Sequence, residues 1–264
     1  MTETVKTKSF EMEYFKFGAG EKNLVILPGL SVRSVMLSEE TIKKAYRGLA
    51  EDFTVYVFDR RKDLPPDYSS DDMAKDTAEA IISAGIEKTS VVGFSQGAMM
   101  AIKIAARYPD LVEKLVLTAG AMKLGDDGWE VLRSWIDFAE KEDAKNLFLS
   151  FGERIYPRFV FAGLKPMLIE EANSATEEEL RRFIVLTKSL FSFNAEKDVE
   201  KITCPTLVLG DTDDRLLGAK PSCEIAKRLK CRSELYLYSG YGHALCDTAP
   251  DYKERILRFL TDKN

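Results

Sequence analysis

The chain has 264 residues, 45% hydrophobic and 31% charged, with a formal net charge of −5. That length fits one large α/β domain, with or without an insertion. A net negative charge without a polybasic stretch argues against nucleic acid or a membrane surface as a partner, since both attract a basic face.

The opening residues, "MTETVKTKSFEMEYFKFG", lack the apolar core and small-residue cleavage site of a secretory signal. No run approaches the roughly 18 apolar residues of a membrane-spanning helix. Four cysteines (Cys204, Cys223, Cys231, Cys246) form no Cys-x-x-Cys pair and read as reduced thiols, so a cytoplasmic protein is expected. With a single histidine, neither a metal site nor a cofactor is expected.

Along the chain, "SFEMEYFKF" alternates as a half-exposed strand does, and "NLVIL" is a continuous apolar run that stops at Pro28-Gly29, as a buried parallel strand would. "SEETIKKAYRGLA" has helical apolar spacing, "FTVYVFD" is a second buried strand, and "SDDMAKDTAEAIISAG" is a helix with an acidic first turn and Gly85 at its end. "TSVVGF" (strand), "QGAMMAIKIAARYP" (helix closed by Pro109) and "KLVLTAG" (strand) complete a run of βαβ units, hence a mostly parallel sheet covered on both faces. From residue 121 to 200 the pattern turns helical: "DGWEVLRSWIDFAEKED", "AKNLFLSFGERIYPRF", "KPMLIEEANSA" and "TEEELRRFIVLTKSLFSF". Strand and helix then resume with "TLVLG", "AKPSCEIAKRLK", "SELYLYSG" and "PDYKERILRFL", the last started by Pro250. The division expected is a core of residues 1–120 and 201–264, with residues 121–200 inserted as a helical lid.

"VVGFSQGAMM" places Gly-x-Ser-x-Gly between an apolar strand and a helix. Three fixed positions alone are a weak signal, but that context is specific. A serine on a sharp turn projects its hydroxyl from the backbone, Gly93 and Gly97 leave room for the turn, and the helix N-terminus favours a developing oxyanion. The hydroxyl of Ser95 needs a base, and the base needs an acid to orient it. His243, in "YSGYGHALCD", is the sole imidazole available. A lone histidine is more often a surface or satisfied core side chain, yet this one follows the strand "SELYLYSG" where a base belongs. The preceding strand ends in "GDTDDRLL", which offers Asp211, Asp213 and Asp214; Asp211 reads as a turn former. Serine, acid, histidine is the chain order of α/β-hydrolases.

On these stretches, with "VILPGLSVRS", "PTLVLGDTDD" and "GYGHA", the sequence resembles the α/β-hydrolase fold superfamily nearly end to end, in particular members with a helical cap. The resemblance implies Asp213 as the acid, three positions after Gly210, with Asp214 in reserve. It also implies an oxyanion hole made of the backbone N–H groups of Leu30 and Gln96. Two departures stand out: Pro28-Gly29 replaces the His-Gly of many relatives, and "DRRKDLPPDYS" replaces an Arg-Gly-x-Gly loop. Serine at position 95 argues against a dehalogenase, which needs a carboxylate nucleophile. The implied activity is hydrolysis of a small-to-medium carboxylic ester, thioester or lactone. The partner is then a small acyl compound, and a homodimer is left open. Acyl transfer, perhydrolysis and carbon–carbon hydrolysis on the same residues, or a non-catalytic ligand-binding role, are the alternatives.

Overall fold

The computed structural model describes residues 1–262, so the final two residues of the core expected over 201–264 lie outside the described residues. Eight strands form one sheet: β1 (Glu3–Lys6), β2 (Glu11–Phe17), β3 (Lys22–Leu27), β4 (Phe53–Arg61), β5 (Thr89–Phe94), β6 (Val112–Thr118), β7 (Thr206–Asp211) and β8 (Ser233–Tyr238). Their spatial order is β1-β2-β4-β3-β5-β6-β7-β8. The pairs β1/β2 and β2/β4 are antiparallel, and every other pair is parallel. The expected mostly parallel α/β sheet is therefore present, with one extra strand. β1 carries little signal because it is four residues long and buries only Val5.

The helices are α1 (Glu39–Ala45), α2 (Ser70–Ser83), α3 (Gln96–Arg107), α4 (Asp126–Glu140), α5 (Ala144–Ile155), α6 (Arg158–Asn173), α7 (Glu177–Lys188), α8 (Glu196–Val199), α9 (Lys220–Arg228), α10 (Leu245–Thr248) and α11 (Tyr252–Thr261), and both faces of the sheet are covered. Successive residues of the central strands point to opposite faces and fill two cores. Val25, Leu27, Val91, Leu115 and Leu117 pack with α2 and α3 on one side. Leu24, Ile26, Val92, Val116, Leu207 and Leu209 pack with Tyr252, Ile256 and Phe259 of α11 on the other. Burial on both faces is why these strands are continuously apolar. The edge strand β8 is exposed along most of its length.

Between β6 and β7 the chain leaves the sheet for α4 to α8. Two boundaries differ from the sequence pattern. Tyr156 stands in extended conformation (φ −100°, ψ 147°) before Pro157, which ends α5 there. Helix α6 then runs from Arg158 straight through Pro166 to Asn173, so "RF" and "KPMLIEEAN" lie in one helix. Capping boxes, Ser69 with Asp72 and Thr176 with Glu179, fix the starts of α2 and α7. No helix among the described residues is long and apolar enough to cross a membrane.

Candidate active site

Ser95 sits between β5 and α3 with φ 49° and ψ −115°, a left-handed conformation that costs a non-glycine residue on the order of 1–3 kcal/mol. The surroundings hold it there. The Ser95 amide donates to the Thr118 carbonyl at 2.9 Å. The flanking glycines are required by close backbone approach. A Cβ on Gly93 would lie 2.6 Å from the Ala98 Cα, and one on Gly97 would lie 2.1 Å from the Leu27 carbonyl oxygen. The serine hydroxyl is thereby projected beyond the sheet at the N-terminus of α3.

His243 comes to Ser95 from the loop after β8. Its Nε2 lies 2.9 Å from the Ser95 Oγ, and its Nδ1 lies 2.8 Å from Asp214 Oδ2. His243 and Asp214 are both buried, each 7% exposed. The second carboxylate oxygen of Asp214 accepts the backbone N–H groups of Leu216 (2.8 Å) and Leu217 (3.0 Å). Burial pushes the Asp214 carboxyl up, but the charge and hydrogen bond of His243 and these two amides outweigh it, leaving it below the usual carboxylate range.

The acid beside the histidine is thus Asp214, not Asp213. β7 extends through Asp211, and the turn after it directs neighbouring carboxylates to different places. Asp213 is exposed and accepts from the Ser239 hydroxyl (3.0 Å), the Thr212 hydroxyl (3.0 Å) and the Gly240 amide (2.9 Å), which hold its carboxyl low. Asp211 does more than form a turn. Fully buried, it accepts the Asp213 amide at 2.7 Å and the Tyr241 amide at 2.9 Å, joining the acid turn to the histidine loop. The loop is also held from the helical segment, where the Ile155 carbonyl accepts the Ala244 amide at 2.9 Å.

Ser95 and His243 open into a cavity of about 170 Å³. Gly29 and Leu30 line it on one side, and Leu124, Leu132, Trp135, Phe151 and Leu190 of the helical segment line it on another. Gln96 is buried behind Ser95. Its backbone N–H belongs to the first turn of α3, where no intrahelical acceptor exists. The elements thus bring Ser95, His243, Leu30 and Gln96 together, and leave Asp213 outside.

Two residues near the cavity escaped the sequence pattern. Asp247, in the short helix α10 four residues after His243, lines the cavity. Its side chain reaches solvent, yet the protein around it desolvates the carboxyl and pushes it up, with Lys253 opposing and the Tyr156 hydroxyl donating at 3.4 Å. The other is Arg60, buried behind the Pro28-Gly29 turn; its charged neighbours in "DRRKD" give no sign of that burial.

A family model described as "Alpha/beta hydrolase family" matches residues 24–252. The chain belongs to the alpha/beta hydrolase family. Among its relatives is "Putative carbamate hydrolase RutD" of Serratia proteamaculans, 32% identical over 232 residues, with 79% of this chain and 81% of that one covered. Two solved structures share the fold. MGS-M2, an alpha/beta hydrolase enzyme from a Medee basin deep-sea metagenome library, has a TM-score of 0.89 at 19% identity, covering 99% of this chain and 98% of that one. The enol-lactonase of Burkholderia xenovorans LB400 has a TM-score of 0.83 at 17% identity, covering 98% and 100%. In such a sheet, ligand sites form outside the carboxyl ends of the strands, which is where Ser95 follows β5 and His243 follows β8.

Proposed function

We propose that this alpha/beta hydrolase cleaves small-to-medium carboxylic esters, thioesters and lactones included, through an acyl-enzyme on Ser95. The observation that carries the reading is the hydrogen-bonded series Ser95–His243–Asp214 at the floor of an apolar cavity. His243 Nε2 takes the Ser95 proton as Oγ attacks the carbonyl carbon, and the carbonyl π pair moves to oxygen. The N–H groups of Leu30 and Gln96 receive that oxyanion. Collapse expels the leaving alkoxide, which leaves as the alcohol after taking the proton from His243. Water then enters, gives a proton to His243 and attacks the acyl carbon; return of the proton to Ser95 frees the acid. Asp214 orients the imidazole through Nδ1 and stabilises its cationic form.

Residues 121–200 serve as the cap, closing over the core formed by the rest of the chain. Its leucines and aromatics favour an apolar acyl group. Among the described residues lining the cavity there is no lysine or arginine, while Asp247 adds a carboxyl, so acyl groups ending in a free acid are disfavoured. The partner is a small acyl compound met in the cytoplasm. The relative's name makes carbamates a second class, since their carbonyl carbon presents the same electrophile.

A panel of nitrophenyl esters from acetyl to octanoyl, with a succinyl half-ester, an aryl carbamate and an alcohol acceptor, tests this. Turnover of the neutral short and middle chains is expected, with the half-ester slower. Turnover of no ester would overturn the reading, and dominant transfer to the alcohol would make the protein an acyltransferase.

The acid position has its own test. Asp214→Asn is expected to lower kcat about 10⁴-fold, because Asn stabilises the wrong imidazole tautomer. Asp213→Asn is expected to stay within a few-fold of wild type. Steady-state kinetics on the best ester separates them, and the opposite ranking would return the role to Asp213.

A further inference from the structure

We propose that Arg60 is a positioning residue that clamps together the two backbone segments forming the oxyanion hole; this rests on the serine-hydrolase reading above. Arg60 lies near the end of β4 and is 4% exposed. Its Nη2 carries two hydrogens and has two acceptors: the Pro28 carbonyl at 2.8 Å and the Gln96 side-chain oxygen at 3.0 Å. Pro28 is two residues before Leu30, and Gln96 directly follows Ser95. One nitrogen thus holds both segments whose N–H groups must converge on a single oxygen.

The rest of the neighbourhood makes this clamp stiff. The Gln96 amide nitrogen donates onward to the Leu186 carbonyl at 2.8 Å, so the Gln96 side chain is held at both ends, by β4 and by α7. Asp59, next to Arg60, accepts Arg182 of α7 at 2.6 Å and the Ser34 hydroxyl at 2.5 Å. The Pro28–Ser34 turn is therefore tied to β4 at both of its ends. Arg60 remains a cation at neutral pH, although burial pulls it down to about 10 against the opposing charge of Asp59.

Stability alone is a weak reason for such a group. The Arg60 Nε is buried without a partner among the described residues. A buried guanidinium with an unmet donor costs more than a well-packed apolar side chain of similar size would. What the arrangement supplies is geometry. Displacing a donor by about 1 Å can cost on the order of 100-fold in rate.

The test uses the full chain with Arg60→Met, Arg60→Lys and Gln96→Met, the last keeping the backbone N–H while removing the side-chain acceptor. Active sites are counted by fluorophosphonate labelling of Ser95 carried to its endpoint, so that loss of folded protein does not enter the rate. For Arg60→Met, kcat per active site is expected to fall roughly 10- to 100-fold with KM within about twofold. Inhibition by an alkyl trifluoromethyl ketone, whose serine adduct places an oxyanion in the hole, is expected to weaken by the same factor as kcat/KM. Arg60→Lys, able to serve one acceptor at a time, should fall between, and Gln96→Met should reproduce the loss. If Arg60→Met does not fold, the Lys and Gln96 variants decide. Variants with wild-type kcat per site, or a loss confined to KM with unchanged ketone affinity, would overturn the proposal. A Ser95→Ala protein that still turned over would instead overturn the reading beneath it.

Discussion

Replacing His243 with Ala is expected to lower kcat by about 10⁶-fold, close to the loss of the serine itself. No second imidazole exists in the chain to substitute for it. The Ser95 hydroxyl would lose its proton acceptor at 2.9 Å, and only water could enter that space. The same change removes a partner of Asp214, whose side chain is almost fully enclosed. Leaving one carboxylate oxygen unpaired there costs about 1–3 kcal/mol, although the Leu216 and Leu217 amides still hold the other. His243→Gln separates the two effects. Its amide can still donate to Asp214, so the unfolding midpoint in urea should recover while kcat does not. A Gln variant that regained turnover together with stability would show that His243 is structural.

Ser95→Ala is expected to cost the same factor of about 10⁶, and the double variant with His243→Ala to be no worse than either single one. Residues that act in one proton-transfer step fail together, so the losses do not multiply. Stability should change little, because Ala can occupy the strained turn that the flanking glycines and the Thr118 carbonyl maintain, and one exchangeable hydrogen bond is lost. Kinetics on the three variants with the best ester settles this. A double variant slower than either single one by the product of the two losses would mean that the two residues act in separate steps.

Much of this arrangement is legible in the sequence. β3, β5, β6 and β7 are buried on both faces, so each appears as an uninterrupted apolar run, and Gly93-Phe94-Ser95-Gln96-Gly97 marks the strand-to-helix turn by its composition. His243 stands out as the sole imidazole. The features that the sequence does not show depend on three-dimensional direction rather than on composition. Asp213 and Asp214 are adjacent and identical in type; which one faces the histidine depends on how the turn rotates after β7, and that rotation is held by Asp211 through bonds to Asp213 and Tyr241. Arg60 sits in a stretch, "DRRKD", whose charge suggests a solvated loop. It is buried because two acceptors from distant segments converge on it. The merger of α5's successor across Pro166 was hidden for a related reason, since a proline inside a helix is tolerated only when neighbouring turns pack well enough to offset the missing N–H.

The central claim is that Ser95 is an activated nucleophile, and a fluorophosphonate probe tests it most directly. Intact mass and peptide mapping of the folded wild-type protein should show one phosphonyl group, bonded to the Ser95 Oγ with loss of fluoride. Labelling should be absent in Ser95→Ala and slowed by orders of magnitude in His243→Ala. An unlabelled Ser95 in folded wild-type protein, or an adduct mapped to another residue, would contradict the claim.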